Sequence, residues 1–110
     1  CGPRLAFAPG GAMGAALTGE AAFAAAVAAL AAGQVVAVLG IGGYHLMVDA
    51  RDPAAIARLR ARKHRPTKPL AVLYPAVGAD GLDRLRQDLD PTPTECAALL
   101  DPARPIVPVR

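Results

Sequence analysis

The stretch QVVAVLGIGGYHLMV, residues 34–48, limits the fold of this chain more than any other. After Gln34, residues 35–40 are apolar and rich in β-branched side chains, without polar alternation, which predicts for 34–40 a strand covered on both faces. Gly40, Gly42 and Gly43 then interrupt the run, and YHLMVDA, residues 44–50, resumes extended character. Glycines at a strand interruption permit positive φ and let a ligand come close to the backbone. The spacing is Gly-x-Gly-Gly with no helix directly after it, so it is not a dinucleotide-binding turn. Taken alone, GIGGYHL at 40–46 reads as a bulge or turn, with His45 a structural hydrogen-bonding residue and Tyr44 a core side chain.

A strand covered on both faces needs helices beside it, and the flanking sequence supplies them. Thr18 predicts the N-cap of a helix over 19–32, with Glu20 in its first turn and Gly33 as the residue that ends it. Phe23, Val27 and Leu30 fall at steps of four and three and predict its buried stripe. The alanine bias of 21–32 suits a helix packed closely on a sheet. Asp52-Pro53 opens a second helix, Asp52 as cap and Pro53 in its first position, with Ile56 and Leu59 facing inward. Pro66 must stop it, because proline lacks an N–H and disfavours helical geometry in the residue before it. PLAVLYP at 69–75 predicts another strand, and 81–89 and 93–100 predict short helices around Leu82, Leu85, Leu89, Ala98 and Leu99. RPIVPVR at 104–110 closes as a strand, its Pro108 at an edge or strand end. With a strand around Arg4–Ala8, broken by Gly10-Gly11, the expected order is β-α-β-β-α-β-α-α-β. That is one small α/β domain, a sheet with helices packed on it.

The charge is unevenly placed. The net charge is only +3, yet Arg58, Arg60, Arg62, Lys63, Arg65 and Lys68 supply six of the 12 Lys and Arg side chains within 11 residues, and all nine acidic groups lie elsewhere. A sharply local positive field follows, and it favours an anionic partner. Arg58 and Arg60 read as a solvated helix end, where cations complement the dipole. Lys63, Arg65 and Lys68 differ, because they leave the helix and enter a proline-restricted turn in RARKHRPTKP, residues 60–69. Ordering that turn holds three cations together against their repulsion, and a bound polyphosphate would offset it. Composition leaves the phosphate site and a solvated loop nearly level. A nucleic-acid patch is the third reading, although no aromatic side chain interleaves these cations.

Other chemistries lack their residues. Asp49 reads as a turn residue and Asp52 as a cap, with no paired carboxylate for acid–base work. Two cysteines and two histidines, Cys1, Cys96, His45 and His64, have no metal-ligand spacing. The apolar stretch 21–32 is too short to span a bilayer and lacks the flanks of a signal peptide, so a cytoplasmic chain without a membrane partner is expected. The first residue is Cys rather than Met, and the chain is expected to be cut from something longer.

Together the two segments are more specific than either alone. Residues 35–73 closely resemble the YrdC-like domain of the HypF-type hydrogenase-maturation carbamoyltransferases. The shared features are the Gly-Ile-Gly-Gly-Tyr-His-Leu turn at 40–46, Asp49-Ala50, Arg62-Lys63-His64-Arg65 and Lys68-Pro69. LLDPARPIVPV at 99–109 resembles a later strand of that family, and CGPRL at 1–5 the end of its preceding zinc-finger-like region. The resemblance divides the chain into 1–5, the end of that region, and 6–110, the N-terminal part of a YrdC-like domain: a twisted mixed sheet with flanking helices, incomplete at its C-terminal side.

Such proteins use Mg-bound ATP and carbamoyl phosphate to form a carbamoyl adenylate. They pass the carbamoyl group to the C-terminal cysteine of a HypE-type partner protein, towards the cyanide ligands of [NiFe]-hydrogenase. The resemblance implies that Lys63, Arg65 and Lys68 hold nucleotide phosphates and carbamate, and that Gly42, Gly43, Tyr44 and His45 line the pocket. It implies no nucleophilic side chain, and it makes Cys1 a last ligand of zinc held by the upstream region. Two departures stand out: Leu39 replaces a lysine common before the glycine turn, and the family's later Ser-x-Asn motif has no counterpart here, so the 110 residues alone are expected to be inactive. Two alternatives remain. One is a YrdC-type threonylcarbamoyl-adenylate synthase of tRNA modification, which typically carries a Thr-x-Tyr-Gly-Leu turn instead of GGYHL. The other is a non-catalytic module binding double-stranded RNA by shape.

Overall fold

The computed structural model describes Gly2, residues 4–10 and residues 16–109. It is mixed α/β and divides into two units, Cys1–Lys68 and Pro69–Arg110.

In the first unit, β1 (Ala6–Phe7) pairs antiparallel with β2 (Leu17–Thr18), and helix α1 (Gly19–Ala31) follows at once. Thr18 is the N-cap, but its side chain makes no capping bond; instead the Gly19 N–H donates to the Leu5 carbonyl at 3.1 Å. With Thr18 already in a strand, the first helical donor is met by the carbonyl just before the strand beside it. The predicted stripe of α1 is rotated in the structure. Phe23 is 59% exposed and Val27 48%, whereas Ala22 is buried and Ala25, Ala26, Ala29 and Leu30 are half-buried. These last five follow the i, i+3, i+4, i+7, i+8 pattern of one helix face. Small side chains let α1 lie close on β1, β2 and the next strand, and Phe23 and Val27 point about a quarter-turn away from that contact.

Strands β3 (Val36–Gly40) and β4 (Gly43–Met47) form an antiparallel ribbon in register Val36↔Met47 to Gly40↔Gly43, closed by a turn at Ile41-Gly42. Neither Ile41 nor Gly42 takes positive φ; that conformation falls on Gly43, at +124°, the first residue of β4, where glycine adopts it freely. The double cover expected for 34–40 is not formed among the described residues: Val36 is buried, and Val38 and Leu39 are exposed. The described strands all pair antiparallel, in two separate ribbons. Helix α2 (Pro53–Lys63) starts as expected, the Asp52 carboxylate accepting from the N–H groups of Ala54 and Ala55 at 2.9 and 3.1 Å. Ala55 and Leu59 are buried and Ile56 is half-buried.

In the second unit, α3 (Asp83–Asp88) and α4 (Pro93–Leu100) match the two predicted short helices. Leu82 and Leu85 form the buried part. Thr92 and Glu95 close a capping box on α4, with Pro93 in its first turn. Asp80 accepts two bonds from the Arg86 guanidinium and one from the Leu82 N–H, which hold its carboxyl down at about 2. Residues 69–75 and 104–109 are not strands, although their sequences predict them. A strand exists only through a partner ladder, and among the described residues neither segment finds one.

Candidate functional site

The basic segment begins where α2 stops. The His64 N–H donates to the Ala61 carbonyl at 3.2 Å, and the Arg65 N–H to the Arg60 carbonyl at 3.1 Å. His64 sits in the left-handed region, φ 49° and ψ 44°, so the helix closes with the paired bonds of a Schellman motif. Pro66 explains why the chain cannot continue, and the cap explains where it turns.

Arg60 and Arg58, expected to be solvated, are both engaged. The Arg60 Nη1 donates to the carbonyls of Arg65, Pro66 and Lys68 at 3.1, 3.3 and 2.8 Å. The Arg58 Nη2 donates to the Gly33 carbonyl at 2.5 Å, tying α2 to the end of α1. The sequence signal for these roles was weak: an arginine four before a proline-rich exit looks like any other cation on a helix end.

Lys63, Arg65 and Lys68 are exposed, and none of them makes an ion pair among the described residues. All three charged ends are therefore available to an anion. The hollow beside α2, about 580 Å³, is lined instead by Arg58 and Arg62 with Gly33, Gln34 and Val35.

The glycine turn lies at the end of the β3–β4 ribbon. Gly42 is in the turn and Gly43, at φ +124°, opens β4. Successive strand residues point to opposite faces, so Tyr44 and His45 project to different sides of the ribbon. Tyr44 pairs with Leu39, and both are largely exposed, at 72% and 66%. On the other face the His45 ring lies over Gly40: a Cβ there would stand 3.2 Å from its Cδ2 and Nε2. Gly40 thus leaves room for the imidazole. No hydrogen bond or ion pair joins this turn to residues 63–68 among the described residues.

Between the two segments, Arg51 grips Asp49 with its N–H at 2.9 Å, Nε at 3.0 Å and Nη2 at 2.7 Å. These bonds hold the Asp49 carboxyl at about 2, below its ordinary 3.8. Asp49 is a turn residue, as its sequence position predicts. Cys1 lies outside the described residues, and among those described no group of His, Cys, Asp and Glu could hold a metal ion. No described helix is long and apolar enough to cross a membrane.

A mixed α/β chain with a glycine-bearing hairpin, an Asp-capped second helix and an exposed basic exit has a defined place among known sequences. The family Sua5/YciO/YrdC, described as telomere recombination, matches residues 28–107, and this chain belongs to it. Within that class it is similar to Carbamoyltransferase HypF of Rhodobacter capsulatus, 46% identical over 107 residues that make 97% of this chain and 13% of that protein. It is also 43% identical over 82 residues to Carbamoyltransferase HypF of Synechocystis sp., covering 74% of this chain and 10% of that protein. A third relative is Carbamoyltransferase HypF of Rhizobium leguminosarum bv. viciae, 45% identical over 80 residues, 73% of this chain and 10% of the relative. The chain thus spans only 10–13% of the length of these relatives.

Proposed function

We propose that this chain supplies a nucleotide-binding part of a carbamoyltransferase. In this reading Mg-bound ATP and carbamoyl phosphate are the substrates and a carbamoyl adenylate is the product. Lys63, Arg65 and Lys68 hold the phosphates and carbamate, with Gly42, Gly43, Tyr44 and His45 lining the pocket. The carbamoyl group then passes to a cysteine thiol of a HypE-type partner, towards the cyanide ligands of [NiFe]-hydrogenase in the cytoplasm. Any zinc belongs to the region that Cys1 ends.

The observation that carries the reading is the set of cations left free on the ordered exit of α2, in a chain 46% identical to a protein named carbamoyltransferase. The chemistry asks for such a set. Water first cleaves carbamoyl phosphate into carbamate and inorganic phosphate; a carbamate oxygen then attacks the α-phosphorus of ATP, a new O–P bond forms, and the bond to pyrophosphate breaks. Two anions must approach and a third must leave. Fixed cations screen the approach and stabilise the departing charge, and holding both reactants in line accounts for the rest of the acceleration. No nucleophilic side chain takes part.

The reading is tested by MgATP titration of the full-length protein and its Lys63→Ala and Arg65→Ala variants. Each loss of a phosphate contact is expected to raise Kd about tenfold or more. Wild-type affinity in both variants overturns the site. Duplex RNA is the competing ligand; if it binds with steep salt dependence while ATP does not, the RNA-binding reading replaces this one.

A further inference from the structure

Arg60 is placed differently from the other cations of its segment. Lys63 at the last turn of α2, and Arg65 and Lys68 in the loop after it, have exposed side chains, whereas Arg60 spends its Nη1 on the carbonyls of that loop, at residues 65, 66 and 68. Two of these carbonyls, those of Arg65 and Lys68, belong to peptide bonds with Pro66 and Pro69. A residue before proline is confined to extended geometry, so those carbonyls have few directions to point. Where they converge, three partial negative charges would meet without a donor. Arg60 is the donor.

We infer that Arg60 is a positioning residue for the proposed nucleotide site, gathering the carbonyls of Arg65, Pro66 and Lys68 inward so that the loop presents cations to a phosphate. The inference rests on the reading of Lys63, Arg65 and Lys68 as that site. Three consequences follow. First, the loop's acceptor oxygens are turned toward Arg60, and a polyphosphate approaching from outside meets fewer of them. Second, across a trans peptide the N–H points opposite to the carbonyl, so the Thr67 N–H, bonded to the Pro66 carbonyl carbon, faces away from Arg60. Third, the loop is ordered before ligand arrives, which reduces the entropy cost of collecting like charges. His64 in the left-handed region is the hinge of the arrangement: the cap it closes starts at the Arg60 carbonyl, and the Arg60 side chain holds the far end.

The test compares wild type with Arg60→Met, Arg60→Lys and Lys63→Ala in the full-length protein. MgATP affinity is measured by calorimetry, and exchange of the His64 and Arg65 amides is followed without ligand. Arg60→Met, with a long side chain and no donor, is expected to speed that exchange at least tenfold and to raise Kd about tenfold. Arg60→Lys, whose ammonium has three donors, is expected to restore part of both together. Lys63→Ala is expected to weaken binding while leaving the exchange as in wild type. If Arg60→Met weakens binding with exchange unchanged, Arg60 acts on ligand directly and the positioning role is overturned. If Arg60→Met binds as wild type while Lys63→Ala does not, the role is likewise overturned and the site stands. Should Lys63→Ala and Arg65→Ala both bind as wild type, the site reading fails, and exchange in Arg60→Met alone still decides whether Arg60 orders the loop.

Discussion

Helices α1 and α2 end with the same hydrogen bonds and different residues. At α1 the Gly33 N–H donates to Leu30 and the Gln34 N–H to Ala29; at α2 the His64 N–H donates to Ala61 and the Arg65 N–H to Arg60. The residue at the turning point is left-handed in both, Gly33 at φ 73° and His64 at φ 49°. Glycine adopts that conformation freely, and histidine at a cost of about 1 kcal/mol. Their surroundings explain the choice. Gly33 is buried, with its space filled by Asp52 and Arg58 of the second helix. His64 is exposed and faces no such crowding. The first end is a packing joint, where a side chain has nowhere to go. The second is a surface cap whose following loop the Arg60 side chain holds, and there a left-handed residue with a side chain meets no neighbour.

The comparison breaks most severely at Gly33. In Gly33→Ala the new Cβ stands 2.5 Å from the Asp52 Oδ2 and 3.1 Å from the Arg58 Nη2. Left-handed strain and that overlap add, for a loss of roughly 2–4 kcal/mol. The displaced Asp52 also caps α2, so the start of the second helix should loosen with the end of the first. Native-state hydrogen exchange of the α2 amides should speed by at least about thirtyfold. Protection equal to wild type would show that the two ends are not joined here.

His64→Gly sharpens the same comparison with opposite sign. Removing the Cβ releases the left-handed strain, and the added freedom of the unfolded chain takes part of it back. A net gain of about 0.5–1 kcal/mol is expected, read as slower exchange of the Arg65 amide. A loss would mean that the imidazole holds the loop by a contact of its own.

The two ends also show what sequence reasoning can reach. Both stops were legible: Gly33 after an alanine-rich run and Pro66 after a basic one mark them within a few residues. Asp52-Pro53 and the two short C-terminal helices were equally local, and the structure forms them where the caps and leucine spacing place them. The rotation of α1 was not legible, because Phe23 and Val27 outweigh alanine in any count of apolar residues. What α1 lies against decides, and close approach to a ribbon favours the alanine face. The strands predicted at 69–75 and 104–110 are not formed among the described residues, 69–75 and 104–109, for a related reason, since strand propensity creates no partner. The cations were legible as a group, but the engagement of Arg58 and Arg60 by backbone carbonyls was not: the first depends on how α2 meets the end of α1, the second on where Pro66 and Pro69 send the backbone.

The smallest effect separates the two ends by pH. The Asp49–Arg51 turn immediately precedes Asp52, the residue packed on Gly33, and no carboxylate pairs with the basic segment at His64 among the described residues. Hydrogen bonds from Arg51 lower the Asp49 carboxyl from 3.8 to about 2. A depressed carboxylate contributes stability above its unfolded value and loses it as pH falls through the folded one. The turn should therefore be intact at pH 5 and begin to lose this stabilisation below about 4, with Asp49 half-protonated near 2 and the turn released below that. Asp49 is half-buried but its partner Arg51 is exposed, so solvent screening keeps the effect small. Amide shifts of Arg51 and Asp52 are expected to move over that interval with a midpoint near 2, while those of His64 and Arg65 stay nearly still. Equal movement at both sites would mean that the acid-sensitive turn and the basic cap melt as one unit, and the separation of a packing joint from a surface cap would not hold.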